Sequence, residues 1–197
     1  MLETLNELDQ QLFLYLNNLG NPTWDGFWLF MTEKFYQIPL YLFLLILFFR
    51  YYGIKGTLIT MVTVALLITA SDQLANLFKY VIVQRPRPCQ SHALGEMTRL
   101  VAEHCGRYGF FSGHSTSSMA LAIFTGLALM KYLRFVLPLM ILWSVIVSYS
   151  RIYLGVHYPG DVLTGWTAGI ILGYIAYRIH WYFVRHYAID AIETPKH

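Results

Sequence analysis

Three features of the 197-residue sequence predict an all-α membrane protein: a polytopic bundle of five transmembrane helices preceded by an amphipathic interfacial helix. Hydrophobic residues make up 56% of the chain and charged residues 13%, against roughly 25% charged in an ordinary soluble domain. The apolar residues gather into long stretches, and roughly 20 such residues cross a hydrocarbon core as a helix. These stretches lack strict two-residue alternation, and lipid admits only helices or closed barrels, so helices are expected.

In residues 2–19, Leu5, Leu8, Leu12, Leu16 and Leu19 recur at helical spacing among Glu3, Glu7, Asp9 and Asn17. The segment is too polar to span and reads as a helix lying in the interface or packed on the bundle. Glu3, Glu7 and Asp9 with no Lys or Arg in the first ten residues are the reverse of a cleavable signal's basic start, so the spans themselves are expected to carry the targeting. Gly20, Asn21 and Pro22 break this helix, and Trp24 and Trp28 have the character of interfacial anchors.

The spacing predicts spans at about residues 25–51, 56–83, 112–132, 135–149 and 159–183, all in one domain covering 1–197. Arg50 and Lys55 bracket a turn at Gly53, and Lys131 and Arg134 mark the next short turn. With Arg178, Arg185 and Lys196 they fall on one side, which the positive-inside rule makes cytoplasmic, together with a polar tail at 187–197. The expected location is therefore the inner, cytoplasmic membrane. The polar insertion at 84–111 and the turn at 150–161 then face the extracytoplasmic, periplasmic side. Cys89 and Cys105 both lie in that insertion and are either bridged or free. The net charge of +3 gives no indication of nucleic acid binding, and no obligatory protein partner is evident.

Three polar clusters share the extracytoplasmic face. Asp72, Asn76 and Lys79 occupy one helical face, and Lys79 is followed by Arg85 and Arg87 in an Arg-Pro-Arg-Pro run. Ser112, Gly113 and His114 open the third span, and Arg151, His157 and Asp161 join the fourth span to the fifth. Each has a plain reading alone: lipid-headgroup contacts for the arginines, an N-cap for Ser112, and capping for His157 and Asp161. A pairing of Asp72 with Lys79 is the plain reading of that face. His92, His104, His180, His186 and His197 have no comparable neighbours and read as solvated or interfacial.

Together the clusters suit phosphoryl transfer. Lys79, Arg87 and Arg151 supply preorganised positive charge, and the guanidinium fork matches phosphate oxygens. Ser112 and Gly113 offer a helix start at which an anion can approach the backbone. An aspartate beside His157 fixes the tautomer that leaves its other nitrogen free to attack phosphorus, and His114 is the candidate acid.

These motifs resemble those of the type 2 phosphatidic acid phosphatase family, membrane lipid phosphatases similar in catalytic core to vanadium haloperoxidases. The family pattern Ser-Arg-x5-His-x3-Asp is met by Ser150, Arg151, His157 and Asp161. Pro-Ser-Gly-His appears with Phe111 in place of proline, before Ser112, Gly113 and His114. Lys-x6-Arg-Pro departs in spacing, since five residues separate Lys79 from Arg85 and seven separate it from Arg87. Arg87 is the preferred match and Arg85 the reserve. The resemblance implies metal-independent, cofactor-free hydrolysis through a phosphohistidine at His157 oriented by Asp161, with His114 as acid. It also implies phosphate binding by Lys79, Arg87 or Arg85, Ser112, Gly113 and Arg151.

An amphiphilic phosphorylated lipid is the expected substrate, with undecaprenyl diphosphate, phosphatidylglycerophosphate, phosphatidic acid and lipid A phosphate as candidates. A lipid phosphotransferase using the same site and a non-enzymatic anion or lipid transporter are the alternatives. An intramembrane protease using Ser112 and His157 would have little use for several cations. A metal hydrolase using His114, His157 and Asp161 would place its cation among Lys and Arg.

Overall fold

The computed structural model describes residues 2–91 and 94–188. Within them the chain folds as α1 (Leu2–Asn18), α2 (Pro22–Thr32), α3 (Ile38–Leu77), α4 (Gly113–Leu129), α5 (Val136–Tyr153) and α6 (Pro159–Tyr187). A 3₁₀ turn, Lys34–Gln37, precedes α3, and a π turn, Phe78–Ile82, follows it. The architecture is all-helical among the described residues, with one isolated bridge between Pro86 and Tyr108. His92, His197, Lys196 and positions 189–197 of the expected tail lie outside the described residues.

Among the described residues three segments are long and apolar enough to cross a membrane: Lys34–Ile82, Val136–Tyr153 and Pro159–Tyr187. The first doubles back. A straight 40-residue helix would extend about 60 Å, yet Lys34 and Lys79 line one cavity. Gly53 makes the reversal at φ 63° and ψ −172°, outside helical space and in the region glycine tolerates. α3 is thus two arms meeting at Gly53.

The expected span at 25–51 is interrupted. α2 stops at Thr32, Glu33 is extended, and its N–H closes on the carbonyls of Leu29 and Phe30. A new helix starts at Ile38 with Pro39 in its first turn, where a missing N–H costs nothing.

α4 is the centre, with most of its side chains buried. Its contact with α6 depends on close backbone approach: a Cβ on Gly165, Gly169 or Gly173 would come within 2.8, 2.6 or 2.5 Å of the Ser112, Thr116 and Ala120 carbonyl oxygens, respectively. Small residues at every fourth position allow such approach between helices in lipid. The α5 side of α4 is tied by the Ser118 and Ser144 hydroxyls, 2.8 Å apart.

The bundle has two distinct ends. At one, Tyr52 donates to the Ala128 carbonyl and Tyr51 stacks on Tyr132 at 4.5 Å, bringing the Gly53 bend to the α4–α5 turn. Val184 of α6 joins the same core cluster. At the other end the loop between α3 and α4 is closed by a Cys89–Cys105 disulfide, which resolves the choice between bridge and free thiols. Asn17 of α1 is buried there and donates to the carbonyls of Arg99, Ile152 and Tyr153. Leu5, Leu8, Leu12 and Tyr15 of the same helix, and Leu19 just after it, remain exposed.

Gly169→Leu should lower the thermal midpoint of the purified protein, because overpacking at a helix contact costs about 1–3 kcal/mol. An unchanged midpoint would show that α4 and α6 do not meet this closely.

Candidate active site

α5 ends at Tyr153, and Gly155, at φ 81°, turns the chain back. The amides of Val156 and His157 both return to the Arg151 carbonyl, at 3.1 and 3.3 Å. That closed turn fixes Arg151 and His157 relative to one another. Pro159 then starts α6, placing Asp161 in its first turn. One Asp161 oxygen, Oδ2, accepts from the Tyr158 amide at 3.0 Å and lies 3.3 Å from His157 Nδ1. The residue is thus both a helix cap and the partner of the histidine. The arrangement leaves His157 Nε2 as the free ring nitrogen.

α4 is brought to this turn by the Ser112 amide, which donates to the Asp161 carbonyl at 3.0 Å. From α3, Lys79 reaches the α4 start: a Cβ on Gly113 would lie 3.4 Å from its Nζ. Arg87 comes from the loop, its Nε donating to the Tyr108 carbonyl at 3.0 Å. Lys79, Arg87, Gly113, His114, Arg151 and His157 line one end of a cavity of about 760 Å³. Apolar side chains including Leu44, Phe48, Val64, Ile68, Leu121 and Val147 line the rest. Lys34 also lines the cavity, and Lys79, Arg87 and Arg151 are the three cations that converge on His157. Burial, followed by the charges of Arg87, Arg151 and Lys79, holds the His157 imidazole well below its usual range, so it is neutral near pH 7.

Three candidate residues stand apart from this cavity lining: Asp161, which is fully buried, Arg85 and Ser112. Arg85 turns outward, with Nη1 at 2.7 Å from Asp9 and 3.2 Å from Asp161, Nη2 on Asn6, and the guanidinium over the Tyr158 ring. Its Nη1 is committed to two carboxylates and its Nη2 to the Asn6 amide oxygen, and Arg87 is the arginine at the cavity. Ser112 is fully buried, and its Oγ caps α4 by accepting from Ser115. Asp72 lines the cavity without an ion pair to Lys79 within 4 Å. Among the described residues no group of three His, Cys, Asp or Glu side chains is arranged to hold a metal.

Other contributors carry no motif. Thr32 at the end of α2 accepts from Arg151 Nη1, while the buried Arg151 Nε has no protein partner. Gly109 presses against the turn that carries His157 and Asp161: a Cβ there would stand 3.0 Å from Asp161 Oδ2 and 3.6 Å from His157 Nδ1. The only sequence signal for Gly109 is a glycine just before the helix-opening Ser112-Gly113-His114.

The family model of the PAP2 superfamily matches residues 57–185, well over half the chain. The chain belongs to the PAP2 superfamily. Among PAP2 relatives, it is 35% identical over 181 residues to a lipid A 4'-phosphatase of Bacteroides thetaiotaomicron, covering 91% of this chain and 80% of that protein. It is 31% identical over 174 residues to an undecaprenyl-diphosphatase of Sulfolobus acidocaldarius, covering 86% and 77%. Its fold matches the transmembrane PAP2-type phosphatidylglycerolphosphate phosphatase of Bacillus subtilis with a TM-score of 0.71 at 22% identity, over 91% of this chain and 87% of that one.

The spacing of Lys79 and Arg87, one residue longer than in the family pattern they resemble, has a physical counterpart. Lys79 sits within the π turn Phe78–Ile82, a widened turn that takes up one more residue than an α turn, and the chain leaves it through Gln84 at φ 49°. The additional residue between Lys79 and Arg87 is absorbed there, and both side chains still reach the cavity.

Gly109→Ala should lower kcat about 10- to 100-fold with the protein folded, because displacing the His157–Asp161 pair by a fraction of an ångström misaligns the attack. Wild-type turnover would show that this contact does not constrain the pair.

Proposed function

We propose that the protein is an integral-membrane phosphatase that hydrolyses a lipid phosphate or diphosphate through a phosphohistidine on His157, without a metal. The observation that carries this reading is the neutral, carboxylate-held His157 facing a cavity lined by three cations at one end and by apolar side chains over most of its length. The reaction class follows from family membership, and the relatives' names share action on lipid phosphates. It is a hydrolase of phosphoric ester or diphosphate bonds of lipids.

In the proposed first step His157 Nε2 attacks phosphorus in line while Nδ1–H donates to Asp161. The P–O bond to the lipid breaks, its electron pair goes to the leaving oxygen, and His114 delivers a proton to that oxygen. Lys79, Arg87 and Arg151 bind the equatorial oxygens, where their charge stabilises the transition state. Gly113 lets the phosphate approach the start of α4. Water then attacks the phosphohistidine, His114 takes its proton, and the P–N electrons return to the imidazole. Arg85 serves outside this phosphate site, and Ser112 acts by capping α4.

The two arms of α3, with α4, α5 and α6, make the five spans, in a single domain. At 17 residues α4 extends about 25 Å and is almost wholly covered by its neighbours. The exposed leucine face of α1 lies on the membrane surface. Arg50, Lys55, Lys131, Arg134, Arg178 and Arg185 gather at the end opposite His157, favouring a cytoplasmic assignment for that end. The bridged loop suits an oxidising compartment, which supports an active site on the periplasmic face of the inner membrane. Lipid A 4'-phosphate is the leading substrate, on the 35% identity over most of both chains, and undecaprenyl diphosphate is the second.

The test is phosphate release from lipid A phosphate, undecaprenyl diphosphate, phosphatidylglycerophosphate and phosphatidic acid, measured in chelator. Wild type should release inorganic phosphate from one or more of them, and His157→Ala should lose at least about 1,000-fold in kcat. Release by His157→Ala, loss of wild-type activity in chelator, or phosphoryl transfer to a second lipid in place of release would contradict the reading.

A further inference from the structure

Asp161 is fully buried, and the side chain of His157 has an exposure of only 1%, yet a chain of charges leads from this pair to the surface. Arg85 Nη1 lies 3.2 Å from Asp161 Oδ1, the oxygen not used by His157. The same Nη1 lies 2.7 Å from Asp9 Oδ2 of α1. Asp9 closes the circuit through its other oxygen, which accepts from the Gly160 amide at 2.7 Å. Gly160 is adjacent to Asp161, and a Cβ on it would fall 2.8 Å from Asp9 Oδ2, so glycine is what allows the carboxylate this close. Arg85 is further fixed by Asn6 Oδ1 at 2.9 Å and by the Tyr158 ring 3.9 Å beneath its guanidinium. α1 itself is anchored by Asn17 to the carbonyls of Ile152 and Tyr153, which begin the catalytic turn. Asp9 and Asn6 lie outside residues 57–185, the part matched by the family model.

We propose that Asp9 and Arg85 are positioning residues: α1 braces the catalytic turn through Asp9, and Arg85 sets the angle at which Asp161 holds His157. The inference rests on the phosphohistidine reading above. Both charges are needed. Arg85 without Asp9 would swing wholly onto Asp161 and draw the carboxylate off Nδ1. Asp161 without Arg85 would keep a buried oxygen with no protein partner. Asp9 and Arg85 also oppose each other electrostatically at His157. The other charged or titratable groups facing His157 are Lys34 before α3, Asp72 on its second arm, Lys79 in the π turn after it, Arg87 from the loop, His114 on α4, Arg151 on α5, and Tyr158 and Asp161 at the start of α6. All of these are unchanged in variants of Asp9 and Arg85.

The experiment measures kcat, KM and the pH profile of kcat/KM for Asp9→Asn, Arg85→Gln and the double variant, on the lipid phosphate that wild type turns over. Thermal midpoint and size-exclusion profile report on folding, and His157→Ala is the control. Each single variant should lose about 10-fold or more in kcat, as outer partners of a catalytic group do, with KM little changed. Removing the Asp9 charge disfavours the imidazolium and should move the acid limb to lower pH; removing the Arg85 charge should move it to higher pH, each by about half a unit. The double variant should return the limb to its wild-type position without restoring kcat. A purely structural role would give no shift or shifts of one sign, and either result overturns the proposal, as does full kcat in either single variant. If a single variant does not fold, the double variant decides: full kcat or a displaced limb overturns the proposal. Should His157→Ala retain activity, the phosphohistidine reading fails; should it be inactive while the other variants behave as wild type, the brace alone fails.

Discussion

Asp161 is fully buried and serves three elements at once: its carboxylate takes the Tyr158 amide, faces the His157 ring and reaches the Arg85 guanidinium, while its backbone carbonyl accepts from Ser112. A buried carboxylate without such partners would be very costly. Satisfying it therefore forces α6, α4 and the α3–α4 loop to converge on one point. Three further cations, Lys79, Arg87 and Arg151, meet nearby with few anions between them, an arrangement that repels itself until an anion arrives. The same convergence that satisfies one carboxylate thus prepares a cationic recess facing the histidine.

The apolar bundle makes this recess possible. The glycines of α6 bring its backbone against α4 and fix the relative height of Ser112 and Asp161. The reversal at Gly53 returns α3 to the same end, so that Lys79 arrives beside Gly113. Between the arms of α3 and the faces of α4 and α5 the space is lined with hydrocarbon, which suits a lipid tail whose phosphate sits among the cations.

Much of the site is legible from local spacing. Arg151, His157 and Asp161 lie within eleven residues spanning one turn, so their meeting needs no long-range information. Ser112 reads correctly as an N-cap, and its capping use of the hydroxyl accompanies its place outside the cavity lining. The choice between Arg85 and Arg87 is not legible, because it depends on a π turn that shifts phase by one residue and leaves no compositional mark. Asp9, Thr32 and Gly109 are equally silent. Each acts through a contact with a distant element, and short acidic, hydroxyl and glycine residues look the same in a loop or helix start whether or not they touch a catalytic turn. The break between α2 and α3 is hidden in an apolar run because the polar residues that interrupt it, Thr32, Glu33, Lys34 and Gln37, are few, and hydropathy averages across them.

The central claim is that His157 itself becomes phosphorylated. It is tested most directly by mixing His114→Ala protein with a phosphate ester whose acidic leaving group departs without protonation, quenching in base and locating the phosphoryl group by mass spectrometry. The account predicts an acid-labile phosphoryl group on His157, trapped because the water that should remove it lacks its base. A single turnover that releases phosphate with His157 never modified, or a phosphoryl group on another side chain, would contradict it.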